Sequence, residues 1–359
     1  MRLRLLVALG TAAALVLSAC GADDSASGTP GAEESGVAQT SVPATSGAAS
    51  DVKVGLAYDI GGRGDKSYND AAALGLDTAA AEFGVEVKEL EAGTADTDAQ
   101  REERLRLLAD GGYDPIIAVG FAYATSLQAV AADYPDVHFA IVDDSSFEAP
   151  NVANLRFAES QSSFLAGVIA AQASKAGRLG FIGGVNIPGI QTFFNGFKAG
   201  AQAVNADIVV DEKYLTEPPD FSGFNDPAKA KTVAQGLLDG GADVIYTAAG
   251  GSGSGSFEAV AASDGAWAIG VDSDQFQSAD PAVRDIILTS ALKRVDTAVF
   301  DVIKAAVEGA PLSGLRTFDV TNDGVGFSDS NPALAPYIDV ANEYVAKLKD
   351  GTVTAPAPA

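Results

Sequence analysis

Short apolar runs alternate with longer stretches of helical spacing along most of this chain. Residues 52–58 predict a strand, and the Ala-rich stretch 68–83 predicts a helix. The pattern continues as strand 85–90, helix 99–109, strand 115–119, helix 122–132 and strand 138–142. Short, nearly continuous apolar strands separated by helices imply a parallel sheet covered on both faces. The rhythm restarts after Phe157 with helix 162–173, strand 179–182, helix 192–204 and strand 208–210. Helix 227–238, strand 244–246, helix 255–262 and strand 267–271 follow. Strand 286–288, helix 295–307, an extended region near 318–327 and a last helix over 334–348 complete the pattern. Two passes of one rhythm, with no short repeat, predict two similar α/β lobes rather than a solenoid. The first lobe is expected to comprise 51–158 plus about 291–320, and the second 159–290 plus about 321–350. A frayed tail is expected over 351–359.

The N-terminus follows a different pattern. Arg2 and Arg4 precede an apolar run from Leu5 to Ala19, shorter than the roughly 20 residues that span a bilayer. Residues 1–19 therefore read as a signal peptide. The run ends in Leu17-Ser18-Ala19-Cys20, which resembles a bacterial lipobox, and makes Cys20 the expected lipidation site. Residues 20–50 are mostly small, polar or acidic and lack aromatics, which predicts a flexible tether.

Composition narrows the chemistry. Cys20 is the single cysteine, so neither a disulfide framework nor a thiolate metal site is expected. The single histidine, His138, sits in an apolar strand, as packed core or strand-end histidines do. A net charge of −25 argues against nucleic acid as a partner. Asp272 and Asp274 lack the further oxygen ligands of a calcium loop, and no metal or cofactor is expected. No motif for binding or cleaving ATP is found, and an enzyme is not expected.

Open parallel sheets bind ligands beyond the carboxyl ends of their strands. Those ends carry Asp59 with the segment Asp65-Lys66-Ser67-Tyr68-Asn69-Asp70, then Asp143-Asp144, Gly250-Gly251, Asp272-Ser273-Asp274-Gln275 and Lys293. Phe221 and Phe224 lie just before the helix at 227–238. Aromatic faces can stack on a planar ring, carboxylates can accept from hydroxyls or ring N–H groups, and a lysine can donate. This set suits a neutral glycosylated heterocycle better than a phosphate.

Asp65-Lys66-Ser67-Tyr68-Asn69 resembles the Asp-Lys-Ser-Phe-Asn signature of the basic membrane protein family, which includes purine nucleoside receptor lipoproteins. Ser163-Phe164-Leu165-Ala166-Gly167, Gly180-Phe181-Ile182-Gly183-Gly184, Ala248-Ala249-Gly250-Gly251 and Val271-Asp272-Ser273-Asp274-Gln275 match in the same order. The resemblance covers residues 52–348. It implies a type I periplasmic-binding-protein fold: two doubly wound parallel-sheet lobes with a hinge, closing on a purine nucleoside. It further implies a monomeric, lipid-anchored importer component on the extracytoplasmic face, served by an ABC permease with a separate ATPase subunit. The implied ligand set is Asp59, Lys66, Ser67, Tyr68, Asn69, Asp143, Phe224, Gly250, Asp272 and Lys293. The purine would stack between Tyr68 and Phe224, Asp59, Asn69 and Asp143 would address the base, and Asp272, Lys293 and the Gly250 backbone would hold the ribose. Tyr68 stands where the signature has phenylalanine. A binding protein for a sugar or other metabolite, and an extracellular nucleosidase, are the alternative readings.

Overall fold

The computed structural model describes residues 50–93 and 95–357. The signal peptide, Cys20 and all of the tether except Ser50 lie outside the described residues. The first pass of the chain runs β1 (Lys53–Ala57), α1 (Tyr68–Phe83), β2 (Glu86–Leu90), α2 (Asp98–Asp110), β3 (Ile116–Ala118), α3 (Ala124–Asp133), β4 (Phe139–Val142) and β5 (Val152–Phe157). The second runs α4 (Glu159–Ala173), β6 (Arg178–Val185), α5 (Pro188–Val204), β7 (Val209–Thr216), α6 (Pro227–Asp239), β8 (Val244–Ala248), α7 (Gly253–Ala261) and β9 (Trp267–Asp272). A closing stretch adds α8 (Gln275–Ser278), β10 (Ile287–Lys293), α9 (Val295–Val307), β11 (Gly314–Phe318), β12 (Val325–Phe327) and α10 (Ile338–Lys349).

Two six-stranded sheets result. The first has the order β11-β5-β4-β3-β1-β2 and the second β12-β10-β9-β8-β6-β7. All pairings are parallel except that of β12 with β10. Burial on both faces accounts for the unbroken apolar strands. In the first sheet, Val54 and Leu56 pack into a cluster with α1 and α9, while Ala57, Ile116 and Ala118 pack on the opposite face with α2 and α3. The second sheet is covered likewise, by α4 and α5 on one face and α6 and α7 on the other. The chain passes between the sheets after β5, after β10 and after β11. Phe157 and Phe318, at two of these passages, stack with centroids 4.9 Å apart.

Two findings differ from the sequence pattern. Apolar periodicity does not mark β5, because Asn154 and Arg156 interrupt its run. Asn154 is nevertheless buried there, and its amide donates to the Asp144 and Phe147 carbonyls at 3.2 Å each. The tail does not fray over its described part. The Val353 N–H donates to the Lys347 carbonyl at 3.0 Å, and Ala355 is buried in the apolar cluster of the first lobe.

Helices α4 and α5 meet almost backbone to backbone. A Cβ built on Gly200 would lie 1.9 Å from the Phe164 carbonyl oxygen, and one on Gly167 would lie 2.0 Å from that of Phe197. Replacing Gly200 with valine must therefore push the helices apart. Overpacking of this kind costs about 1–3 kcal/mol. We expect Gly200→Val to lower the unfolding free energy by that amount in urea titrations, with little change in the slope.

Candidate functional site

In each sheet the strand order reverses beside the first strand, between β1 and β3 and between β6 and β8. Such switch points leave a crevice beyond the carboxyl ends of the strands. The two crevices face one another across a cavity of about 570 Å³. Asp59, Tyr68, Asn69, Asp143, Phe224, Gly250, Asp272 and Lys293 all line it. The Lys66 side chain is exposed and Ser67 is buried, and neither lines the cavity.

Local backbone geometry places these groups. Asp143 follows β4 and Asp272 ends β9, and both have positive φ, 67° and 62°. Aspartate tolerates this region better than most chiral residues. Phe224 owes its position to Gly184 at the end of β6, where a Cβ would approach the ring to 2.5 Å. Tyr68 opens α1, whose start is held by Asp65. Its carboxylate accepts the N–H groups of Ser67 at 2.8 Å, Asn69 at 2.9 Å and Asp70 at 3.1 Å. Asn69 is largely engaged within the protein: its amide donates to Ile60 at 3.3 Å and Asp65 at 3.0 Å, and its oxygen accepts from the Asp59 N–H at 3.0 Å. Its part here is to fix the Asp59 loop on α1.

Lys293 is 3 % exposed at the end of β10. Its ammonium pairs with Asp143 from the other sheet and with Glu159 at 3.2 Å. It also lies over the rings of Tyr68, Phe157 and Phe193, at 4.9, 5.2 and 5.8 Å from their centroids. Two buried polar atoms of the lining, the Tyr68 hydroxyl and Asp143 Oδ1, have no hydrogen-bond partner. Buried polar groups are usually paired, so these two invite a ligand with complementary donors and acceptors. Glu159 was not anticipated from the sequence. It follows β5, and an unrecognised strand hides the residues at its end.

Burial dominates the electrostatics. It raises the Asp272 carboxyl to about 7, against the opposing pull of Lys293 and the Ser67 hydrogen bond. It raises Asp59 to about 6 against the Ile60 N–H. Glu159 is raised by burial despite Lys293, and Tyr68 is raised by burial and by Asp143. Lys293 itself would be lowered by burial, but Asp143, Glu159 and Asp272 outweigh that and hold it above its usual value. His138 stands apart before β4, at the opposite end of the sheet, with Nδ1 3.1 Å from Asp114. Among the described residues, no group of three or more His, Cys, Asp and Glu could hold a metal ion.

Two parallel-sheet lobes meeting at an aromatic and carboxylate-lined cavity define a solute-binding protein of the type I periplasmic-binding class. The family model described as ABC transporter substrate-binding protein, PnrA-like, matches residues 52–357, and the chain belongs to this Bmp family. It is 32% identical to the ABC transporter nucleoside-binding protein BmpA of Lactococcus lactis over 98% of this chain and 97% of that protein. It is 34% identical to an uncharacterised lipoprotein of Pyrococcus horikoshii over 84% of this chain and 74% of that protein. An ABC transporter solute-binding protein from Aeropyrum pernix superposes with a TM-score of 0.74 at 30% identity, covering 85% of this chain and 94% of that one. The protein is thus the substrate-binding component of an ABC transporter, not an enzyme, with a small-molecule ligand and a membrane permease as partners. No helix of the described residues is long and apolar enough to cross a membrane.

The raised carboxyls make a signed pH prediction. Between the unfolded value near 3.8 and the folded value near 7, the native Asp272 keeps a proton that the unfolded chain releases. The Asp272 contribution to the stability of the ligand-free protein therefore falls as pH rises from about 4 to about 7. Asp272→Asn should flatten that slope in thermal melts recorded from pH 4.5 to 7.5.

Proposed function

We propose that the cleft binds a purine nucleoside and that the lobes close on it by hinge motion, presenting it to the permease. The base stacks between Tyr68 on the first lobe and Phe224 on the second. Asp59 and Asp143 address its edge, assisted by Asn69 through its hold on the Asp59 loop. Asp272, Lys293 and the Gly250 backbone take the ribose hydroxyls. The observation that carries this reading is the pair of unpartnered buried atoms, Tyr68 Oη and Asp143 Oδ1, on residues that line the cavity. A purine edge offers a donor beside an acceptor, which matches a carboxylate oxygen beside a phenol. Aromatic residues available from both lobes suit a flat heterocycle better than a sugar alone. The nucleoside-binding name of the Lactococcus lactis relative supports the same ligand class.

Closure follows from differential affinity. A ligand that touches both lobes favours the state in which both sets of contacts exist. The same reading places Cys20 as the lipid-modified residue that holds the protein, a monomer, at the extracytoplasmic face of the membrane, with ATP hydrolysed by a separate subunit.

Thermal unfolding with added ligands tests this. A ligand bound by the folded state alone raises stability by about 2.7 kcal/mol at a hundredfold excess over its dissociation constant. Adenosine, guanosine or inosine should raise the midpoint, ribose should not, and Asp272→Ala should weaken the nucleoside response at least tenfold. A response to sugars alone would discard the ligand assignment. The Gly184→Ala variant, which must displace the Phe224 ring, should weaken the response while leaving the ligand-free midpoint within a few degrees.

A further inference from the structure

The two lobes also touch through a set of hydrogen bonds at the edge of the cavity. On the first lobe, the turn into α1 is tied down: the Asp65 carboxylate accepts the N–H groups of Ser67, Asn69 and Asp70, and the Asp70 carboxylate accepts from Gly64 at 2.6 Å and Lys66 at 3.0 Å. Lys66 has φ of 56° within that turn. On the second lobe, the turn after β9 is equally fixed. Gln275 Oε1 accepts the Val271 N–H at 2.8 Å, and the Gln275 N–H donates to Ser290 Oγ at 3.1 Å.

Three side chains join the two turns. Ser67 Oγ is within hydrogen-bond distance of Asp272 Oδ2 at 2.8 Å and the Val271 carbonyl at 3.2 Å. Ser273 Oγ donates to the Ser67 carbonyl at 2.7 Å, and Gln275 Nε2 donates to the Lys66 carbonyl at 2.9 Å. Ser67, Ser273 and Gln275 do not line the cavity.

We propose that Ser67, Ser273 and Gln275 form an interlobe latch, positioning residues that set the closed population and the ligand residence time without touching the ligand. The inference rests on the hinge closure proposed above. Each turn is held by hydrogen bonds within its own lobe, so the bonds between the turns form together in one relative orientation of the lobes and are lost together when it changes. The latch is tied to the ligand site through Asp272. One carboxylate oxygen receives the Ser67 hydroxyl from the opposite lobe, and the same carboxylate is the proposed acceptor for a ligand hydroxyl. Closing the latch thereby orients Asp272, and by linkage a ligand that prefers the oriented carboxylate favours the latched state. Affinity in this protein is then divided between contacts to the ligand and contacts between the lobes.

Ser273→Ala removes one latch bond and no proposed ligand contact. The test uses the full chain in detergent, carrying Cys20→Ser and nitroxide labels on Thr125→Cys of the first lobe and Lys229→Cys of the second. Without ligand, Ser273→Ala should move the label separation toward longer distances. With inosine, its dissociation rate should rise about fivefold, as expected for one net hydrogen bond. Label separations and inosine dissociation rates identical to those of the unsubstituted chain would overturn the latch. A longer ligand-free separation in a protein that binds no nucleoside would keep the latch and reject the ligand assignment instead. Ser273→Thr, which retains the hydroxyl, should restore the unsubstituted separation, and failure to do so would count against the hydrogen bond as the cause.

Discussion

A single buried ammonium organises this structure. Lys293 ends a strand of the second sheet, pairs with Asp143 from the first and with Glu159 where the chain passes between them. Removing such a charge from water is expensive, and the cost is offset only if partners are close and well placed. Here two carboxylates and three aromatic faces supply those partners. The position of Lys293 consequently constrains the end of β4, the start of α4 and the ring of Tyr68. The relative placement of the two lobes and the polarity of the cavity depend on the same group.

The remaining lining groups follow from that constraint. Asp143 Oδ2 is committed to Lys293, while Asp143 Oδ1 and the Tyr68 hydroxyl are buried without a hydrogen-bond partner. Asp272 and Asp59 are buried enough to be raised toward neutrality. A ligand that donates to these carboxylates stabilises their ionised forms and releases protons as it binds. The cleft is therefore poised to exchange a desolvation penalty for ligand hydrogen bonds, which is a physical basis for coupling binding to closure.

Much of this was legible in the sequence. The alternation of apolar strands and helices gave the α/β class because both faces of each sheet are buried, and the strand-end rule located Asp59, Asp143, Asp272 and Lys293 before any geometry was known. What escaped has a common origin. β5 carries Asn154 and Arg156 within its apolar run, so its strand character shows only once the carbonyls that accept from the Asn154 amide are in place. Glu159 was hidden with it. The docking of Val353 and Ala355 depends on a surface assembled by distant segments, which a composition-based reading of the tail cannot contain. The pairing of Ser67 with Asp272 joins residues about 200 positions apart, and no local pattern announces it.

The account turns on a nucleoside held between the aromatic residues of the two lobes and anchored on the Asp143, Lys293 and Asp272 network. A crystal structure of the chain grown with inosine tests it most directly. The account predicts the base between the rings of Tyr68 and Phe224 with the ribose hydroxyls on Asp272. Inosine bound outside the cleft, or a cleft that stays free of inosine while accepting a sugar with neither ring in contact, would contradict it.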